Sequence, residues 1–137
     1  MSNRQKNSLL CLGALMLGAV VYILFRPNTW VSHLFDGIEF IVDLRSAVAS
    51  PSRNWFRYYV PDLLWAFALC CGIQAIYEPE HKGVLFCALT ALCCGVVWEM
   101  LQWSRIVTGT GDVWDILMYL TGSVLSILIN VKGEKQT

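Results

Sequence analysis

Four apolar stretches dominate this chain, at residues 8–25, 61–77, 84–102 and 113–131. Each reaches the roughly 17–25 residues a helix needs to cross a hydrocarbon core about 30 Å thick. No water reaches backbone groups in that layer, so such stretches adopt helices that satisfy their own hydrogen bonds. Composition agrees, because 56% of residues are hydrophobic and 15% are charged, against about 25% charged in soluble domains. Mean hydropathy is +0.54. The expectation is an all-α polytopic membrane protein, a single membrane domain over residues 1–137. Its external loop, residues 26–60, is expected to carry an interfacial amphipathic helix.

The first stretch follows a polar start with Arg4 and Lys6 and ends at Phe25, Arg26 and Pro27. A cleaved signal peptide has a shorter apolar region and a small-residue site, so an uncleaved anchor is expected. In the loop, Val31, Leu34, Phe35, Ile38, Ile41 and Val42 recur at the spacing of one helical face, which predicts a helix too polar to span. Next come Trp55, Phe56, Tyr58 and Tyr59 among Arg53 and Arg57. Rings and guanidiniums of this kind suit the headgroup layer, either as anchors or as phosphate contacts. Pro61 and Asp62 are then read as the first turn of the second span.

Four spans place both termini on one side. Five cations fall on each side of the membrane, so simple counting gives no orientation. The four lysines, however, share the terminal side, and Arg4 and Lys6 precede the first span. The termini are therefore expected in the cytoplasm of a bacterial inner (plasma) membrane. Net formal charge is zero without blocks of like charge, which argues against nucleic-acid binding. Six cysteines, Cys11, Cys70, Cys71, Cys87, Cys93 and Cys94, all lie in apolar runs. They read as buried thiols packing like small hydrophobes, and no metal site is assigned to them.

Chemistry concentrates between Cys94 and Ser126. Glu99 and Gln102 share a face of the third span, whereas Asp112, Asp115, Tyr119, Gly122 and Ser126 follow a 3, 4, 3, 4 spacing on the fourth. A short Thr/Gly turn makes the two helices antiparallel neighbours, so both stripes are expected to face one polar pocket, reached by Arg105. Carboxylates in membrane-length segments are costly, and they mark a functional site by default. Simpler roles compete: Asp112 as an N-cap, Gly122 and Ser126 as packing residues, and Gln102 or Arg105 as structural partners of Glu99.

The order Glu99-x-x-Gln102, Arg105, a glycine-containing turn, Asp112-x-x-Asp115 and Gly122 resembles the signature of VanZ-like membrane proteins. The resemblance covers the last two spans. The family's usual histidine near the second span is replaced here by residues around Asp62 and Trp65, which stand at the same mouth, and Tyr119 stands near the family's Asn. Membership would imply action near surface lipid or peptidoglycan precursor, and glycopeptide-antibiotic tolerance.

The leading expectation is a small inner-membrane protein whose outward-facing pocket binds an anionic lipid or lipid-linked envelope precursor. Gln102, Arg105, Asp112, Tyr119, Arg53, Arg57, Asp62 and Trp65 are its candidate binding residues. In an enzymatic version Glu99 or Asp115 is the general base, while Arg105 with Arg53 or Arg57 holds phosphate. A divalent cation on Glu99, Asp112 and Asp115 is an alternative use of the acids. Two further readings stay open. One is a non-catalytic accessory subunit docking on a larger membrane protein complex through residues 31–42; the other is a proton- or ion-coupled transporter acting as a homo-oligomer.

Overall fold

The computed structural model describes residues 1–25, 33–48, 54–77 and 81–133. Among the described residues five helices follow one another: α1 (Asn3–Phe25), α2 (Glu39–Val48), α3 (Asn54–Tyr77), α4 (His81–Trp103) and α5 (Val113–Gly133). Among the described residues there is no strand. All but α2 are long and apolar enough to cross a membrane.

Helix α1 begins at Asn3 because Ser2 caps it. The Ser2 hydroxyl accepts from the Gln5 N–H at 3.2 Å, and the Gln5 side chain accepts from the Ser2 N–H at 3.1 Å. This reciprocal pair satisfies two donors that a helix start otherwise leaves open. The loop differs from its predicted form. Residues 34–37 form turns, with His33 bonded to Asp36 at 2.8 Å, and among the described residues the helix of this loop spans Glu39–Val48. Val31 lies outside the described residues. Arg45 ties α2 to the bundle, donating to the Ile23 carbonyl at 3.0 Å and to Asp36 at 2.6 Å. It thereby satisfies an orphan carbonyl in the last turn of α1.

The second span also departs from expectation, because α3 starts at Asn54 and carries Pro61 inside it. Membrane helices tolerate this when surrounding groups compensate for the lost hydrogen bond. The Trp55–Tyr59 aromatics therefore stand on helical turns and not in a loop.

Helix α3 is the hub, packing against α1, α4 and α5, and α4 also packs on α5. Its buried side chains are mostly small, Ala66, Ala68, Cys70, Cys71 and Ala75, and Cys70 packs with Cys87, Ala88 and Ala91 of α4. Leu12, Met16, Phe86 and Leu128 face outward. Large apolar groups outside and small ones at the seams are the membrane pattern, since lipid is as apolar as leucine and close backbone approach drives association. Gly122 shows the limit: a Cβ there would strike the Leu63 carbonyl and sit 3.0 Å from the Phe67 N. All six cysteines are free; Cys70, Cys71 and Cys87 are buried as expected, but Cys93 and Cys94 are exposed on the helix surface.

At the end holding both chain termini, polar groups close on one another. Gln74 donates to Ser126 Oγ at 3.1 Å and to Cys70 Sγ at 3.2 Å, and accepts from Asn130 at 2.6 Å. Lys6 of α1 reaches the Ile129 carbonyl at 3.0 Å and the Asn130 side-chain oxygen at 3.4 Å. These bonds fasten α1 and α3 to α5 and bring Lys6 beside the end of the last span.

Candidate functional site

The opposite end is built differently. Helix α4 stops where Arg105 adopts φ +58°; its N–H returns to the Gln102 carbonyl at 2.9 Å, and the Ile106 N–H returns to Leu101 at 3.0 Å. The two bonds are a Schellman closure, with arginine in the left-handed position that glycine usually takes. The chain then folds back over α4. Gly109 has φ +141°, a backbone conformation that favours glycine, and a Cβ there would push the Gln102 amide aside.

Asp112 then caps α5 by accepting from the Trp114 N–H at 3.0 Å. In an ordinary capping box the acid three residues on, here Asp115, would accept from the cap's own N–H. Glu99 of α4 takes that bond instead, at 2.9 Å. Its other oxygen accepts from the Tyr119 hydroxyl at 2.9 Å, and Glu99 is 1% exposed. The carboxylate is near the unfavourable end of its own helix but beside the favourable N-terminus of α5, which accounts for a buried acid at this point. Gly95 makes room for the Tyr119 ring, because a Cβ there would clash with the ring's edge.

A cleft of about 610 Å³ opens above this junction. Its walls contain four carboxylates, Asp62, Glu99, Asp112 and Asp115, and one guanidinium, Arg57, together with Gln102. Tyr59 donates to Asp112 at 3.3 Å, and the Tyr119 hydroxyl also lies 3.5 Å from Asp62. The Arg57 guanidinium lies over the Tyr58 ring at 5.3 Å, and its buried Nε has no hydrogen-bond partner. A smaller cavity of about 330 Å³ adjoins, lined by Asp62, Trp65, Trp98 and Tyr119. The Trp65 and Tyr119 rings meet edge-on at 6.0 Å.

Arg57, Asp62, Glu99, Gln102, Asp112, Asp115 and Tyr119 thus share one cleft, with Trp65 in the cavity beside it. Arg105 does not join them. Its side chain is exposed outside the cleft lining, and Glu99 is partnered by Tyr119 and a backbone N–H in place of Arg105 or Gln102. Arg53 lies outside the described residues. Among the described residues no three His, Cys, Asp or Glu side chains converge to hold a metal ion, so the expected divalent-cation set is not preformed. Tyr59 and Trp98 were not singled out as site residues, although Tyr59 precedes Asp62 and Trp98 precedes Gln102 at helical spacing.

The chemistry of the cleft is unequal. Both Glu99 oxygens are occupied, which suits a positioning group. Both Asp112 oxygens are taken as well, by the Trp114 N–H and the Tyr59 hydroxyl, whereas Asp62 and Asp115 add negative charge to the wall and Arg57 supplies the cation. Comparison with known protein families, curated proteins and solved structures found no match to this chain.

Proposed function

We propose that the cleft binds the polar head of a membrane lipid or lipid-linked envelope precursor. Arg57 takes its phosphate, and the carboxylates take an amine or hydroxyl groups. The observation that carries this reading is a guanidinium and four carboxylates in one cleft at the ends of apolar spans, the depth at which headgroups lie. Its volume of about 610 Å³ falls in the roughly 300–1,000 Å³ range of small-molecule sites. Arginine offers phosphate a planar, bidentate fork. The surplus of acids favours a head with positive charge or hydroxyls beside its phosphate over a purely anionic one. The VanZ-like order of Glu99, Gln102, Asp112, Asp115 and Gly122 supports placing the cleft on the outer face of a bacterial inner membrane. Both termini are then cytoplasmic, and α2 lies along the outer interface.

Native mass spectrometry of protein gently extracted from its own membrane tests the reading, with Arg57→Gln/Asp115→Asn as the comparison. A phosphate-bearing lipid retained by the wild type and reduced at least tenfold in the double variant is the expected result. A stoichiometric protein partner held equally by both forms, with no specific lipid, would replace it with the accessory-subunit reading.

A further inference from the structure

The polar cleft does not end in a polar wall. Asp62 lines the cleft, the smaller cavity and a third space, an apolar groove of about 360 Å³ between α1 and α3. Trp65 is shared between the smaller cavity and the groove. The groove is lined on α1 by Ala14, Gly18 and Ala19 with Leu15, Tyr22 and Ile23 beside them, and on α3 by Pro61, Asp62 and Trp65. Small residues at a membrane seam usually bring helices into contact. A Cβ on Gly18 would stand 3.8 Å from Leu64, an ordinary contact, so α1 and α3 pack closely there and the groove runs beside that contact.

Polar and apolar compartments sharing walls match the two halves of one amphiphile. We infer that the α1/α3 groove seats an acyl chain of the same lipid whose head occupies the cleft. The ligand is therefore a long-chain phospholipid or lipid-linked molecule held at both ends, and not a water-soluble phosphate compound. This rests on the headgroup reading above. The occupant is a chain and not a further helix because the groove terminates at a carboxylate, Asp62, continuous with the charged cleft. A second helix would cover the apolar part and leave that continuity unused. Entry is lateral, from the bilayer, past Trp65, whose side chain is exposed at the junction.

The test uses the full chain in detergent and two probes with the same phosphoethanolamine head, a dihexanoyl and a dioleoyl phospholipid. Ala19→Phe fills the groove from an exposed position, and Gly13→Phe adds the same bulk on α1 where nothing lies within 4 Å of a Cβ. The expected result is at least a tenfold loss of dioleoyl retention in Ala19→Phe. Its dihexanoyl binding stays within twofold of the wild type, and Gly13→Phe retains both probes. Equal dioleoyl retention in Ala19→Phe and wild type overturns the groove assignment and leaves the headgroup reading standing. A wild type that retains neither probe, or retains them only as well as Arg57→Gln/Asp115→Asn does, overturns both. Thermal unfolding of each variant separates lost binding from lost folding, and Ala19→Leu repeats the comparison if Ala19→Phe is unfolded.

Discussion

The two ends of the bundle solve one problem in opposite ways. Each inserts side-chain polar groups into apolar helices, which is unfavourable unless the groups find partners. At the terminal end the partners are amides, hydroxyls, carbonyls and one lysine, so donors and acceptors meet within the protein. At the cleft end, among the described residues, four carboxylates and one guanidinium line an open space, so carboxylates outnumber cations. The contrast teaches that a polar stripe in a membrane helix is not by itself a site. What separates a fastening from a receptor is the donor balance and whether a cavity lies beside it.

The largest effect is expected where the stripe passes between the two ends. Gly122→Val drives a side chain into the Leu63 carbonyl and pushes α5 from α3, costing about 1–3 kcal/mol or more. Both regions fail together, measured as loss of the folded form by unfolding in mixed micelles. A stable Gly122→Val protein would mean the α3/α5 seam is looser than described.

A change confined to the terminal end sharpens the comparison. Gln74→Leu leaves Ser126 and Asn130 without their shared partner and is expected to lower stability by about 1–2 kcal/mol. Lipid retention per folded molecule stays unchanged. Arg57→Gln/Asp115→Asn is its mirror image, with retention lost and stability lowered by about 1 kcal/mol or less, since both side chains are half-buried. If Gln74→Leu abolished retention, the two ends would be one coupled unit.

The sequence made the four spans legible because the cost of unpaired backbone in lipid leaves few alternatives to helices. The α5 stripe was legible because a period near 3.6 is imposed by helix geometry. Arg105 was misplaced for a local reason: its left-handed φ turns the chain at a position without the glycine that marks such turns. The start of α3 was misplaced because Pro61, usually a first-turn residue, lies inside the helix here. Gln74 and Asn130 carried no visible pattern, since each is a single amide in a long apolar run and only tertiary packing pairs them. The groove was equally silent, because it arises only where small and large side chains of two helices far apart in sequence come side by side.

The smallest effect lies in the loop. The Asp36 carboxyl is held below the usual range by its bond to His33 and then by Arg45. Its folded value lies below the unfolded value of about 3.9, so its contribution is present above that pH and lost as pH falls through the folded value. Hydrogen exchange in residues 33–48, corrected for intrinsic rates, is expected to quicken on acidification below about pH 4, with α3 unchanged. Equal acceleration in both segments would show that the ion pair is not the local cause.

The fit between Gly95 and Tyr119 has a consequence for inheritance. A ring occupying the space of a missing side chain makes the two positions a matched set of sizes, and bulk gained on one helix must be surrendered on the other. Descendants of this sequence are therefore expected to change the two sites in concert. A lineage that enlarged residue 95 while keeping the tyrosine would be forced to abandon the hydroxyl's grip on Glu99, and with it the junction from which the cleft is built.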